Sequence, residues 1–396
     1  MPVHLLLVAA LCIVAVPAVA ACAYLLLLTL LSGSLPLPAR SQRQLRFDVI
    51  IPAHNEESVI AHVVGSVRRV DWPSDRFRVV VIADNCTDAT AAVASAAGAE
   101  ILERHDERQR GKGYALDYAF RASRARGWAD AVVVIDADAE VTPNLLEAFA
   151  SRIEQGEHAV QVHYGVSNTD ASWRTRLLSI AKAAFHIVRS RARERLKVSC
   201  GIRGNGWAVT HTLLAHVPYR SFSLAEDLEY GIELGLAGYR VAYADEAHAD
   251  AEMVSSEKQA RQQRRRWEWG RFRLMRSKTL PLLRQALQRR SAVCLDLALD
   301  LMVLPLSYVV LNVAVLVALA VAGAAGQSTS AAWVLVGMGC VAALVLHILR
   351  GWRLSGVGPR GLLDLGRAPF FLLWKILVLL GERTPNEWVR TKRENR

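Results

Sequence analysis

Leu5 to Leu31 carries no charged side chain, and a run of that length exceeds the roughly 20 residues an α-helix needs to cross a bilayer. Pro17 inside it is a tolerable kink, because the freed backbone groups of a spanning helix can be satisfied locally. A cleaved signal peptide is the alternative, since Ala18-Val19-Ala20 and Val19 to Cys22 loosely resemble processing sites. No Lys or Arg precedes the run and apolar sequence continues past both sites, which favours a membrane anchor. Leu301 to Gly326 and Ala331 to Leu349 are two further uncharged runs, separated by the turn Gln327 to Ser330, and predict a transmembrane hairpin. Arg284, Arg289 and Arg290 precede that hairpin and Arg350, Arg353 and Arg360 follow it. The excess of basic residues on both flanks puts them in the cytoplasm, and with them the long middle segment. The expectation is a multi-pass protein of the inner (plasma) membrane. Gly361 to Leu380 is apolar but interrupted by Asp364, Arg367, Pro369 and Lys375, which suits a helix lying in the interface, with Trp374 and Trp388 at headgroup level and a basic tail through Arg396 inside.

The formal net charge of +11 would ordinarily raise nucleic-acid binding. In a chain with three apolar spans the same Lys and Arg serve topology and contact with anionic lipid, and no exposed stacking motif accompanies them, so no nucleic-acid partner is expected. The cysteines at 12, 22, 86, 200, 294 and 340 have no C-x-x-C spacing and read as inert thiols rather than a zinc or redox centre.

From Arg46 onward, short β-rich runs alternate with helical stretches, the pattern of an α/β fold with an open, mostly parallel sheet. Phe47 to Pro52, Arg78 to Ala83, Glu100 to Glu103, Ala131 to Ile135 and Ala159 to Val162 read as strands, with helices over Ser58 to Arg69 and Thr87 to Ala97. Ligands of such sheets bind beyond the carboxyl ends of strands. Those ends carry Pro52-Ala53-His54-Asn55-Glu56-Glu57, Asp84-Asn85-Cys86-Thr87-Asp88 and Asp136-Ala137-Asp138. Taken singly, each could be a turn former or a helix cap.

Asp136 and Asp138 are more specific, because two carboxylates one residue apart can hold a hard divalent cation and so neutralise a diphosphate. Spacing does not choose between Mg2+ and Mn2+, and the absence of cysteine disfavours zinc. Arg110-Gly111-Lys112-Gly113 opens a helical stretch from Tyr114 to Ala125 and could meet an anion there, although it is not a Walker A loop. Gly201 to Trp207 forms a glycine-rich loop with an aromatic side chain, suited to a sugar-sized ligand or to a tight turn with a core Trp. Glu226 and Asp227 open a helix, where acidic residues are favoured by the dipole alone. Gln263-Arg264-Arg265-Arg266-Trp267 lies in a basic stretch that could equally be a lipid-binding run before the hairpin.

In that order, Pro52 to Glu56, Asp84 and its neighbours, Arg110 to Leu116, Asp136 to Asp138, Gly204 to Ala208, Ala225 to Asp227 and Gln263 to Trp267 resemble the inverting GT-A-fold glycosyltransferases of family 2, in the branch of cellulose and hyaluronan synthases that carries a QxxRW motif. The resemblance covers roughly Asp48 to Arg273. It implies residues 1–40 as anchor, 41–290 as a cytosolic GT-A domain with a Rossmann-like sheet, 291–360 as transmembrane hairpin and 361–396 as interfacial helix and tail. It further implies that Asp84 contacts the nucleotide base or ribose, that Lys112 supports diphosphate binding, and that Asp136 and Asp138 hold the metal. Asp227 would be the general base, and Arg266 would stabilise the leaving diphosphate. Pro52, Ala53, Asn55, Glu56, Gly204, Asn205, Trp207, Glu226, Gln263 and Trp267 would line the substrate path, with Trp267 stacking on the acceptor sugar. His248 is a speculative third metal ligand.

The implied reaction is inverting transfer from a nucleotide sugar, with a UDP-sugar as the family default, to a lipid-linked or oligosaccharide acceptor at the bilayer, in company with polysaccharide-assembly partners. Two C-terminal crossings are few for a self-contained secretion channel. The alternatives are single-sugar transfer to a polyprenyl phosphate and a catalytically silent nucleotide-sugar sensor or scaffold.

Overall fold

A computed structural model describes residues 3–253, 257–327 and 329–370, with the backbone alone for residue 3 and for 257–266. Eight strands form the sheet: β1 (Phe47–Ala53), β2 (Phe77–Asp84), β3 (Glu100–Arg104), β4 (Ala131–Val134), β5 (Ala139–Val141), β6 (Ala159–His163), β7 (Trp207–Thr210) and β8 (Ala242–Ala251). Their spatial order is β3-β2-β1-β4-β7-β6-β8-β5. The β1–β2, β2–β3, β1–β4 and β6–β8 pairs are parallel, whereas β7 runs antiparallel to β4 and β6, and β5 runs antiparallel to β8. The fold class is α/β as expected, with a mixed sheet that is mostly parallel.

The near-continuous β-branched runs of β1 and β4 suit helices on both faces of the sheet, which leave neither face of these two strands in water. The pleat sends alternate side chains to opposite layers. Val49, Ile51 and Val133 pack on one side with Ile60, Val63, Val64 and Val67 of α2 (Ile60–Arg68) and Phe149 of α5 (Leu145–Ile153). Ile50, Val132 and Val134 pack on the other with Leu116 and Phe120 of α4 (Lys112–Arg126) and Leu234 of α9 (Glu226–Leu236). Between β2 and β3 lies α3 (Thr90–Ala96), and the short α8 (His211–His216) follows β7. The expected strands and helices begin and end within three residues of these elements.

Among the described residues, three helices are long and apolar enough to cross a membrane: α1 (Val3–Leu30), α12 (Leu306–Ala325) and α13 (Ala332–Ser355). They pack on one another through Leu11, Ala18, Leu25, Val309, Val313, Leu316, Cys340 and Leu344. The polar groups among them are paired. Thr29 Oγ1 lies 2.8 Å from His347 Nδ1, and Arg350 donates to the Ser32 carbonyl at 2.8 Å.

One boundary differs from expectation. Leu301 is not the start of a crossing; it belongs to a separate helix, α11 (Ala292–Met302), and α12 begins only after Pro305. Proline cannot donate the backbone bond that would continue α11, so the two helices break there. Asp296 and Asp300 give α11 a second reason to stay with the sheet domain, because both are paired with arginines from α7 (Arg189–Arg195). The chain reaches α7 from α6 (Trp173–Ala183) through a π-helical turn, Ala184–Val188. Gly351 of α13 faces that turn, and a Cβ there would stand 2.8 Å from the Ala184 Cβ, so the close approach needs glycine. The long helix α10 (Glu257–Arg289) leads from β8 to α11. Of the expected interfacial segment, residues 361–364 belong to the short helix α14 (Gly358–Asp364); Trp374, Trp388 and the tail lie outside the described residues.

Candidate functional site

The carboxyl ends of β1, β2 and β4 open on a cavity of about 1040 Å3, large enough for a nucleotide sugar together with part of a second substrate. Pro52, Ala53, His54, Asn55 and Glu56 bring β1 to its edge, and Asp84 and Asn85 bring β2. Asn55 and Asn85 both hold positive φ, 57° and 52°, a conformation that Asn tolerates better than most residues. Their side chains tie the strand ends together. Asn55 Oδ1 accepts from the Thr87 amide at 2.7 Å, and Asn85 Oδ1 accepts from the Asp106 amide at 2.8 Å. Asp84 is nearly buried and accepts from Arg104 at 2.6 Å. Burial pushes its carboxyl above the usual value, and Arg104 opposes that shift.

Across the cavity, Gly111 at φ 121° turns the chain into α4 and brings Lys112 inward. Its ammonium donates to Asp136 Oδ1 at 2.5 Å and to the Gly204 carbonyl at 2.8 Å. Asp227, in the first turn of α9, closes the other side: a Cβ on Gly204 would stand 3.1 Å from its Oδ2. Burial raises the Asp227 carboxyl above its ordinary range, with Lys112 pulling the other way. Lys112, Asp136, Asp138, Gly204, Glu226 and Asp227 all line the same cavity. Acceptor-type oxygens predominate, and the Asp136 and Asp138 carboxylates meet the chemical requirement of a hard cation for oxygen ligands.

Other expected residues take different places. Asn205 is fully buried and acts as a strut: its Oδ1 accepts from the Asp136 amide at 2.9 Å, and its Nδ2 donates to the Ala249 carbonyl at 3.3 Å. Trp207 is 1% exposed, at the start of β7, with its ring centroid 5.9 Å from Phe120 and 6.5 Å from Tyr219. It fills the core and does not line the cavity; of the two readings of the glycine-rich loop, the tight turn with a core Trp holds for this side chain. Trp267 does line the cavity and is 40% exposed. The side chains of Gln263 and Arg266 lie outside the described residues.

Several residues that line or brace the cavity carried no distinguishing sequence signal. Lys182 of α6 donates to the Gly165 carbonyl at 3.3 Å and sits 3.4 Å above the Tyr164 ring. Burial pushes its ammonium down to about 7, against the pull of Asp250, Asp138 and Asp136. Gln161, buried in β6, donates to the Asn205 and Gly206 carbonyls and accepts from the Arg203 amide, fixing the loop that carries Gly204. Arg271 stands one helical turn beyond Trp267 on α10 and shares the cavity with Arg203. The six cysteines are unpaired, and burial keeps Cys86, which lines the cavity, as a thiol.

His248 sits with His163 and Asp250, each offering one ligand atom within 4.8 Å of the others, a set that could hold a metal ion. These three do not line the main cavity, so His248 is grouped with them rather than with Asp136 and Asp138.

Residues 45–270 match the family described as "Glycosyltransferase like family 2". Among curated proteins, the chain is 24% identical over 246 residues to a probable glucomannan 4-beta-mannosyltransferase of Arabidopsis thaliana, covering 59% of this chain and 46% of that protein. It is 28% identical over 232 residues to a beta-monoglucosyldiacylglycerol synthase of Synechocystis, covering 56% of this chain and 47% of the other. The chain thus spans about half the length of the curated relatives it matches. Among solved structures, a mannosyltransferase from Pyrobaculum calidifontis, in complex with GDP-Man and Mn2+, overlays with a TM-score of 0.49 at 19% identity, over 85% of this chain and 98% of that one.

Proposed function

Because the chain belongs to family 2 of the glycosyltransferases and carries the family's GT-A-type sheet, we propose that it transfers a sugar, with inversion, from a nucleotide donor to an acceptor held at a membrane. The observation that supports this most directly is the meeting of Lys112, Asp136 and Asp227 around Gly204, in one cavity with Asp84 and Asp138. Residues more than a hundred positions apart converge there on the groups such a transfer requires.

In this reading Asp84, braced by Arg104, receives the base or ribose of the donor, for which a UDP-sugar is the default. Lys112 stands where the diphosphate arrives and is held there by Asp136. Asp136 and Asp138 are the residues that would hold a Mg2+ or Mn2+ ion, which when bound supplies positive charge against the diphosphate. Asp227 takes the proton from the acceptor hydroxyl while that oxygen bonds to the anomeric carbon; the carbon's bond to the diphosphate breaks on the opposite face, and one displacement inverts the configuration. A carboxyl raised by burial is a stronger base than one in water, which suits the task. Arg266, with Gln263, would meet the charge that builds on the departing diphosphate, and Trp267 offers an exposed ring for an acceptor sugar.

The relatives' names point to two kinds of acceptor, a glucomannan and a diacylglycerol lipid. Three helices able to span a bilayer keep either acceptor close to the membrane surface, and we place the cavity on the cytoplasmic side from the basic flanks of the hairpin.

Release of nucleoside diphosphate by the full-length protein in lipid nanodiscs, across UDP- and GDP-sugars with membrane lipid extract as acceptor, tests the proposal. Turnover with one donor that needs added Mg2+ or Mn2+ and disappears in Asp138→Ala is the expected result. Donor binding without turnover under every acceptor condition would replace this reading with that of a nucleotide-sugar sensor.

A further inference from the structure

At its membrane-facing end the cavity is walled by groups that a sugar nucleotide does not need. Arg203 and Arg271 both line it. Behind them lie Arg189 and Arg193, so four guanidinium groups surround two carboxylates, Asp296 and Asp300. Arg193 bonds Asp296 at 3.0 Å and Asp300 at 2.7 Å; Arg189 bonds Asp300 at 2.9 Å; Arg203 stands 3.8 Å from Asp300. Arg271 donates to two backbone carbonyls, those of Asp300 and Val303. Even with Glu268 counted, three residues before Arg271 on α10, the cluster keeps a positive excess.

Arg203 is 6% exposed, and its Nε and Nη2 have no hydrogen-bond partner among the described residues. Its guanidinium carbon lies 4.3 Å from the centroid of the Phe185 ring. A buried cation with unmet N–H groups is costly unless an anion completes it. The charges acting most strongly on Arg203 and Arg271 are Asp300 and the neighbouring arginines, rather than the strand-end carboxylates. The excess is therefore local to this end of the cavity.

The wall beside these arginines presents Leu178, Ala181 and Phe185, with Lys182 and His186 of the same segment as its polar members. It belongs to α6 and the π-helical turn, the same elements that Gly351 of membrane-spanning α13 packs against. A fixed pair of guanidinium groups beside apolar side chains at a membrane helix is the chemistry of an anionic lipid headgroup, and guanidinium matches phosphate oxygens two at a time.

We propose that the acceptor is carried on a lipid phosphate and that Arg203 and Arg271 form the subsite that holds this phosphate. The inference rests on the transfer reading above and deepens it by naming the acceptor class. The lipid phosphate would supply the missing partners of Arg203, while the end to be glycosylated points toward Asp227 in the same cavity.

The full-length protein in phosphatidylcholine nanodiscs is titrated with a C20 prenyl phosphate, with the corresponding neutral prenol, with inorganic phosphate and, separately, with nucleoside diphosphate. Prenyl phosphate should bind at least about tenfold more tightly than either prenol or inorganic phosphate. Arg203→Gln and Arg271→Gln should each weaken it by about tenfold or more, the scale of a lost hydrogen bond to a charged group, with nucleoside diphosphate affinity kept within about twofold. Arg203→Lys should recover part of the loss. Equal binding of prenol, or inorganic phosphate binding as tightly as the lipid, overturns the proposal. So does a parallel loss of nucleoside diphosphate affinity in the folded variants, which would assign the arginines to the donor. Arg271 sits on a helix apart from the 201–206 loop, so its variant keeps the test open if Arg203→Gln does not fold. Failure of the wild type to bind nucleoside diphosphate would sink the transfer reading alone; loss of the preference for lipid phosphate would sink the subsite alone.

Discussion

The two ends of the cavity are built by different means. At the sheet end, each polar group sits at the end of a strand or the first turn of a helix, and its position follows from local structure: Asp84 after β2, Asp136 after β4, Lys112 and Asp227 in the opening turns of α4 and α9. At the membrane end, Arg189, Arg193, Arg203 and Arg271 come from three segments and are positioned by two aspartates on a fourth, α11. A site of the first kind can be altered one side chain at a time, because the backbone holds its neighbours. A site of the second kind is a charge network in which each member is the reason the others stay.

That contrast can be broken by substitution. Asp227→Asn keeps the shape of the sheet end and removes only the proposed base, so turnover should fall by about a thousandfold, within the range for general-base loss, with donor affinity and melting temperature nearly unchanged. Steady-state release of nucleoside diphosphate checks it, and a large fall in melting temperature would show that the sheet end is no more modular than the other. Asp300→Asn should do the reverse. It removes the carboxylate shared by Arg189, Arg193 and Arg203, and should destabilise the protein by about 3 kcal/mol, the lower range for breaking a buried pair. Thermal unfolding in nanodiscs reads this directly; an unchanged transition would mean the arginines are held without it.

Smaller effects sharpen the same comparison. Asn205→Ala leaves the Asp136 amide and the Ala249 carbonyl without their side-chain partner and should cost about 2 kcal/mol. Its activity loss should appear in kcat through misplaced Asp136, measured against the unfolding of the same variant. Smallest is a pH effect away from the site. Burial alone would raise Glu194, but Arg240 and the Tyr243 amide hold it below its ordinary 4.5. Its contribution is thus present above that value and lost as pH falls through the lowered one. Arg240→Gln should flatten the acid side of the stability curve by about 1 kcal/mol, seen in urea unfolding between pH 6 and pH 3.

The same division governs what could be read from sequence. β1, β2 and β4 are runs of Val and Ile ending in Pro or Asp, a signal contained within a few neighbouring residues. By contrast, β5, β7 and β8 were missed as strands. β5 and β7 have only three and four residues, and β8 reads Ala-Tyr-Ala-Asp-Glu-Ala-His-Ala-Asp-Ala, which has little β propensity of its own. It becomes a strand because β6 and β5 supply partners on its two edges. Trp207 beside Gly206 offered the same local pattern whether it met a sugar or Phe120, and only the packing of α4 against β7 decides it. Lys182, Gln161 and Arg203 depend on partners brought in by the fold, and nothing beside them in the chain announces those partners. The helix pattern at the membrane end was visible as hydropathy, but the break at Pro305 and the charges on α11 showed only once α7 was in place.

The contacts of α1 bear on how the protein is made. Tyr24 bonds Asp296 at 2.8 Å, Thr29 meets His347, and Arg350 reaches back to Ser32 across 318 positions. Arg193 also donates to the Tyr24 hydroxyl at 2.7 Å, so the polar partners of this helix lie from about 170 to more than 300 positions further along the chain. Contacts of such separation form late and slowly, so α1 completes its polar pairing only after the sheet residues that lie between have been made. Among the described residues, α13 thus fastens α1 across the whole sheet that lies between them in sequence.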